Sequence, residues 1–204
     1  MKLYSSTFLS LVLAFLIFLG QNGQPVKIIQ SDIKPDFSPL GKTALQEGAT
    51  THLFIEIFDD FSSKAGQDFM TSTLPLIKEK YGALPETDLR VFFMTSQGTD
   101  AYKAALAAKC AGDELKFWDM LSALHQSGDY SEKSLIKIAK NLKMDASALK
   151  GCVRTEKYKT AIENENFLGT TKGVTEFPTI FINDFKLTGN APLENIEKVI
   201  QSNF

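Results

Sequence analysis

Apolar and polar positions along the chain change period several times, and these changes delimit its elements. Residues 53–58, Leu-Phe-Ile-Glu-Ile-Phe, alternate as a strand with one buried face does. From about Ser63 to Tyr81 the spacing turns helical, with Pro75 inside the stretch as an expected kink. Residues 89–95, carrying Val91, Phe92 and Phe93, read as a second, buried strand. A long helical block follows. Residues 101–111 are alanine-rich, and residues 114–125 set Phe117, Leu121 and Leu124 on one face. Ser131 stands as a cap before Leu135, Ile138, Ala139 and Leu142 at i, i+3, i+4, i+7 spacing, and Asp145 before a further helix that carries Cys152. Beyond Gly173 the strand period returns at residues 179–182 and 185–188, around a turn at Asn183-Asp184. A closing helix starts at Pro192, a first-turn proline, and buries Leu193, Ile196, Val199 and Ile200.

The element order is therefore strand–helix–strand, several helices, then hairpin–helix. This predicts an α/β fold of one domain over residues 52–204, long enough for a normal core. The preceding residues follow different rules. Met1-Lys2 supplies a small positive region, and residues 8–19 are apolar apart from Ser10. A dozen residues suits the core of a signal peptide, whereas a bilayer-spanning helix needs roughly 20. Residues 1–23 are read as a signal peptide or, if uncleaved, an N-terminal anchor; no cysteine near this boundary suggests a lipoprotein anchor. Residues 24–51 are polar and punctuated by Pro and Gly, and read as an extended arm with room for an edge strand near 26–29.

Charge narrows the partners. A formal net charge of −2 supplies no electrostatic reason to expect nucleic acid, or a membrane contact other than the N-terminal segment. Export bears on the two cysteines, Cys110 and Cys152. In an oxidising compartment they most simply form one disulfide, and closing a loop of about 42 residues stabilises by roughly 4 kcal/mol. Two buried free thiols, or a working redox pair, are the alternatives. The spacing is too wide for Cys-x-x-Cys, and neither cysteine lies in a strand-to-helix turn that would stabilise a thiolate. The adjacent acids Asp59 and Asp60 read as solvated at a strand end, because no His or Cys completes a ligand set; no metal or other cofactor is expected.

Two motifs carry more specific information. The first is Phe58-Asp59-Asp60-Phe61-Ser62-Ser63-Lys64-Ala65-Gly66-Gln67-Asp68-Phe69, a strand–turn–helix entry. It resembles the active-site segment of DsbA-like thioredoxin-fold oxidoreductases, in which an aromatic-x-Asp-Phe run precedes Cys-x-x-Cys. On that register the two cysteine positions fall on Ser63 and Gly66, with Lys64 and Ala65 between them. The second is Gly173-Val174-Thr175-Glu176-Phe177-Pro178-Thr179-Ile180-Phe181-Ile182-Asn183, similar to the cis-proline segment of the same family, with Glu176-Phe177 where Gly-Thr is common. Residues 74–81 resemble the family's first helix, and residues 108–112, 116–120 and 151–153 with Tyr158 its helical insertion.

The resemblance implies a thioredoxin-like core with a helical insertion at about 99–168, between a βαβ half and a C-terminal ββα half. It implies a cis bond before Pro178 and a peptide groove beside it; Phe61, Glu176, Phe177 and Pro178 are the candidate binding residues there. Asp60 matches a family aspartate whose role is structural or electrostatic. Some relatives carry a second, non-catalytic disulfide in the insertion, which favours a structural bond between Cys110 and Cys152.

The family's activity is thiol–disulfide exchange, and the residues it depends on are absent. A hydroxyl at Ser63 cannot form a mixed disulfide, and a Ser-His hydrolase would need a base and an oxyanion hole. Of the two histidines, His52 precedes the strand at its far end and His125 closes a helix of the insertion, so no base is expected nearby. Ser62 or Ser63 is read as a helix cap, and Phe117 and Trp118 as packing the insertion. The expected protein is exported, most simply to a bacterial periplasm, is redox-inactive, and binds extended peptide or unfolded protein clients. The alternatives are a thiol–disulfide oxidoreductase or isomerase acting through Cys110 and Cys152, and an assembly subunit anchored to the inner membrane.

Overall fold

The alternation at the start of the domain becomes strand β1, Leu53–Asp59, whose inward row of Leu53, Ile55, Ile57 and Asp59 is buried throughout. A computed structural model describes residues 52–203; the leader read at 1–23 and the arm at 24–51 lie outside them. Helix α1, Lys64–Tyr81, carries the chain over to β2, Thr87–Phe93, which pairs parallel with β1. Parallel neighbours need such a crossover. Strand β3, Thr179–Ile182, pairs antiparallel with β1 and turns at Asn183-Asp184 into β4, Phe185–Thr188. The sheet order is β2-β1-β3-β4, so Ile57 lies between Val91 and Ile180 at the centre.

Between the two halves lie helices α2 (Asp100–Ala111), α3 (Phe117–Ser127), α4 (Glu132–Asn141), α5 (Ala146–Arg154) and α6 (Lys159–Thr171), and α7 (Leu193–Asn203) closes the chain. This mixed α/β arrangement is the one the resemblance implied. Ser131 and Asp145 cap α4 and α5, accepting from Ser134 N at 3.3 Å and from Ser147 N at 2.8 Å. The helix expected from residue 114 instead starts at Phe117. A short 3-10 turn, Gly112–Glu114, precedes it, and Leu115 breaks the helical path with a left-handed φ of 59°.

The main core lies between one face of the sheet and α1, α7 and the helices of the insertion. Ala104, Ala105, Ala107, Ala108 and Ala111 are all fully buried, and their small side chains let α2 run through the middle of the helical layer. Phe117 and Trp118 pack against this core from the insertion. On the opposite face Phe58, Val174 and Phe181 form a second cluster with Phe92, Met94, Leu168 and Phe177. Cys110 of α2 and Cys152 of α5 are joined as a disulfide, with Cα atoms 6.1 Å apart.

Helix α6 had no counterpart in the hydrophobic pattern, and its contacts show why. It docks on β2 largely through polar side chains. Glu165 accepts from Phe93 N at 3.0 Å and pairs with Lys109 at 2.5 Å, while Asn166 accepts from Thr95 N and donates to Thr95 O, both at 3.0 Å. Burial pushes the Glu165 carboxyl above the usual carboxylate range, and Lys109 pulls against that rise. Among the described residues no helix is long and apolar enough to cross a membrane.

Candidate functional site

The end of β1, the start of α1 and the loop before β3 meet at one junction. Asp60 opens the turn: its carboxylate accepts from Ser62 N and its carbonyl from Ser63 N, both at 2.8 Å. The chain then enters α1 with Ser63 as N-cap, its Oγ accepting from Gly66 N at 3.1 Å. This satisfies one of the amides that a helix start leaves unpaired. The same hydroxyl donates to the carbonyl of Phe177 at 3.0 Å. The Phe177–Pro178 peptide is cis, and Pro178 is buried. Both motifs singled out in the sequence therefore meet through Ser63.

Around that contact the surface is mixed. Lys64 is exposed and pairs with Asp68 one turn along α1, Ala65 is half-buried, and Gly66 is buried. Glu176 is exposed and Phe177 half-buried. The Glu176 carbonyl accepts from Thr179 Oγ1 at 2.7 Å, while the backbone N–H of Phe177 has no acceptor among the described residues.

Phe61 does not stand at this rim. Its ring is 4% exposed, stacked on His125 at 4.4 Å and edge-on to Tyr130 at 5.3 Å, so it belongs to the floor. Ser62, next to it in the turn, is the exposed residue instead.

Beneath the turn the structure corrects two further expectations. Asp59 is not solvated but completely buried, and His125 is not remote but completely buried beside it. His125 Nε2 lies 3.1 Å from Asp59 Oδ2. The two meet at ion-pair distance without hydrogen-bond geometry, and neither carboxylate oxygen nor either ring nitrogen has a directed partner among the described residues. Gln67 of α1 donates to the His125 carbonyl at 2.7 Å, and Tyr130 Oη donates to the Phe61 carbonyl at 3.1 Å. The insertion is thus tied to the turn at three points.

The signals for both residues were periodic. Asp59 continues the inward row Leu53, Ile55, Ile57 of a strand, where the side-chain period is two. His125 lies four residues after Leu121 on the buried stripe of α3. Among the described residues no group of three or more His, Cys, Asp and Glu is placed to hold a metal ion.

Burial, with the charges of Asp59 and Asp60 adding to it, pushes the Tyr130 phenol up from its usual 10.0 to about 12. A raised folded value means that its contribution to stability is fully present below about pH 10 and is lost as pH rises toward about 12. Melting temperature measured from pH 8 to 12 should therefore fall more steeply in the wild type than in Tyr130→Phe (about pH 10 upward). Parallel curves would show that the phenol does not couple to folding.

Comparison with known proteins agrees with this geometry. Residues 51–202 match the family model described as Thioredoxin. No curated protein matches the chain. Among solved structures, oxidised BdbD from Bacillus subtilis superimposes with a TM-score of 0.67 at 20% identity, covering 74% of this chain and 86% of that one. DsbA of Chlamydia trachomatis has a TM-score of 0.66 at 17% identity, over 80% and 94% of the two chains. The thiol-disulfide exchange protein alpha-DsbA2 of Wolbachia pipientis has a TM-score of 0.64 at 21% identity, over 77% and 83%. The chain belongs to the thioredoxin family and has the fold of its DsbA-like members.

Proposed function

We propose that this protein is an exported, redox-inactive member of the family that binds extended peptide or unfolded protein segments beside Pro178. The observation that carries the reading is the junction itself. Ser63 and Gly66 stand at the helix start where the motif register has cysteines, and Ser63 holds the Phe177 carbonyl through a hydroxyl. Exchange needs a sulfur that forms and releases a mixed disulfide, and neither residue supplies one. The N–H of Phe177, without an acceptor among the described residues, offers an extended chain a strand-like backbone bond, and the half-buried Phe177 offers it apolar contact. Glu176, exposed next to them, favours segments with basic side chains at that position.

A reduced, alkylated and permanently unfolded protein, labelled for fluorescence anisotropy, tests the groove. Saturable binding is expected, weakened about tenfold or more by Phe177→Ala. In parallel, insulin reduction and dithiol oxidation should stay at background. Binding that ignores Phe177→Ala would remove the groove from the reading. Turnover abolished by Cys110→Ser would instead establish the oxidoreductase alternative, which uses the disulfide between α2 and α5. Fractionation of the full chain, with and without residues 1–23, separates the exported soluble form from the membrane-anchored alternative.

A further inference from the structure

The space beneath Gly66 is filled. A Cβ built on this residue would lie 2.3 Å from Asp59 Oδ1, 3.2 Å from Ser63 Cβ and 3.5 Å from Asp59 Cγ. Real Cβ atoms do not approach a heavy atom at 2.3 Å, so the carboxylate would have to move for any side chain to fit at position 66. An exposed carboxylate would swing aside at little cost. Asp59 is completely buried and has only two side-chain torsions. It is confined by His125, itself completely buried with Nε2 3.1 Å from Asp59 Oδ2, and by the Phe61 ring stacked on that imidazole. Displacing it breaks the contact with His125, and among the described residues neither carboxylate oxygen has a hydrogen-bond partner that could replace it.

From this we infer that the junction is closed to a dithiol by Asp59, and not merely short of two sulfur atoms. The carboxylate lies within the volume of a side chain on the third residue of α1, under the positive end of the helix, which favours a negative charge there. A chain that had only lost its cysteines would keep an empty notch at Gly66. Here the notch holds an ionisable group with a buried partner from the insertion. The inference rests on the redox-inactive reading and deepens it: the helix start is committed to a non-exchanging state, and Asp59 is the residue that commits it.

Glutathione disulfide is the probe, used on the full chain. In Ser63→Cys, the introduced thiolate attacks glutathione disulfide. One sulfur–sulfur bond forms to the protein, and one glutathione leaves as thiolate. Release of the second glutathione requires a thiolate at position 66 to attack the sulfur at position 63, so that two electrons pass from the dithiol to the disulfide reagent. Ser63→Cys/Gly66→Cys is expected to stop at the adduct, retaining one glutathione per chain by intact-mass measurement. Adding Asp59→Ala should let the internal disulfide form and expel that glutathione. Formation of the internal disulfide with Asp59 in place would overturn the inference.

A second measurement does not depend on the cysteine variants folding. Gly66→Ala should lower the melting temperature by about 5 °C or more in the wild-type background. In an Asp59→Ala background the same substitution should leave it unchanged or raise it, because alanine is the better helix former. Equal losses in both backgrounds would also overturn the inference. Insulin turnover by the wild type would sink the redox-inactive reading while leaving these two outcomes to be judged separately.

Discussion

His125→Leu should destabilise the fold by about 3–5 kcal/mol, the cost of leaving a buried charge without its partner. The volume change is small, so packing alone predicts far less. What is lost is the group 3.1 Å from Asp59 Oδ2, in a site where both residues are completely buried. The turn above it depends on the same contact: Phe61 stacks on the imidazole, and Gln67 of α1 bonds the His125 carbonyl. Urea unfolding at neutral pH measures the effect, and a shifted midpoint at constant slope would mark it as a change in stability rather than in compactness. The double variant His125→Leu/Asp59→Ala separates the causes. Removing the orphaned carboxylate should recover a substantial part of the loss, as mutations of contacting residues are not additive. If the double variant is as unstable as the sum of the singles, the pair is not coupled and His125 acts only as filling.

Loss of the bond between Cys110 and Cys152 is the other large effect. The two cysteines are 42 residues apart in sequence. Constraining a loop of that length in the unfolded chain corresponds to about 4 kcal/mol in the chain-entropy model. The bond ties α2, whose alanines sit at the middle of the helical layer, to α5, which offers few buried apolar groups of its own: Leu149 is its fully buried residue. Cys110→Ala/Cys152→Ala, or a strong reductant acting on the wild type, should lower the urea midpoint by a matching amount. The junction at Ser63 draws its contacts from α1, α3 and the Phe177–Pro178 loop, so the peptide binding proposed above should survive where the variant is still folded. Unchanged stability after reduction would show that the bond is no staple, and would direct attention to exchange at that pair.

Much of the framework was legible because it is built from local periods. Residues 179–182 and 185–188 appear as strands at those bounds, and Ser131 and Asp145 cap the helices they were expected to cap. The cap at Ser63 follows from the same chemistry, a side-chain oxygen next to an unpaired amide. Helix α6 escaped notice because its buried residues are just Ile162 and Gly169, too few for an apolar stripe, while Glu165 and Asn166 tie it to Phe93 and Thr95 by hydrogen bonds. Phe61 was expected at the rim of the groove together with Phe177. Turn position alone says nothing of which side of the chain its ring takes, and here the stack on His125 takes it inward.

By itself, the amino-acid order determined the α/β architecture, the strand-to-helix entry without sulfur at positions 63 and 66, and the proline loop that faces it. Those properties rest on side-chain period, cap chemistry and residue identity, all of which act within a few residues. Only the tertiary structure decided that Asp59 and His125 meet beneath Gly66 and that the carboxylate takes the space a side chain would need there. That outcome depends on the insertion folding back across the end of β1, and a polar contact between distant segments leaves no period in either of them.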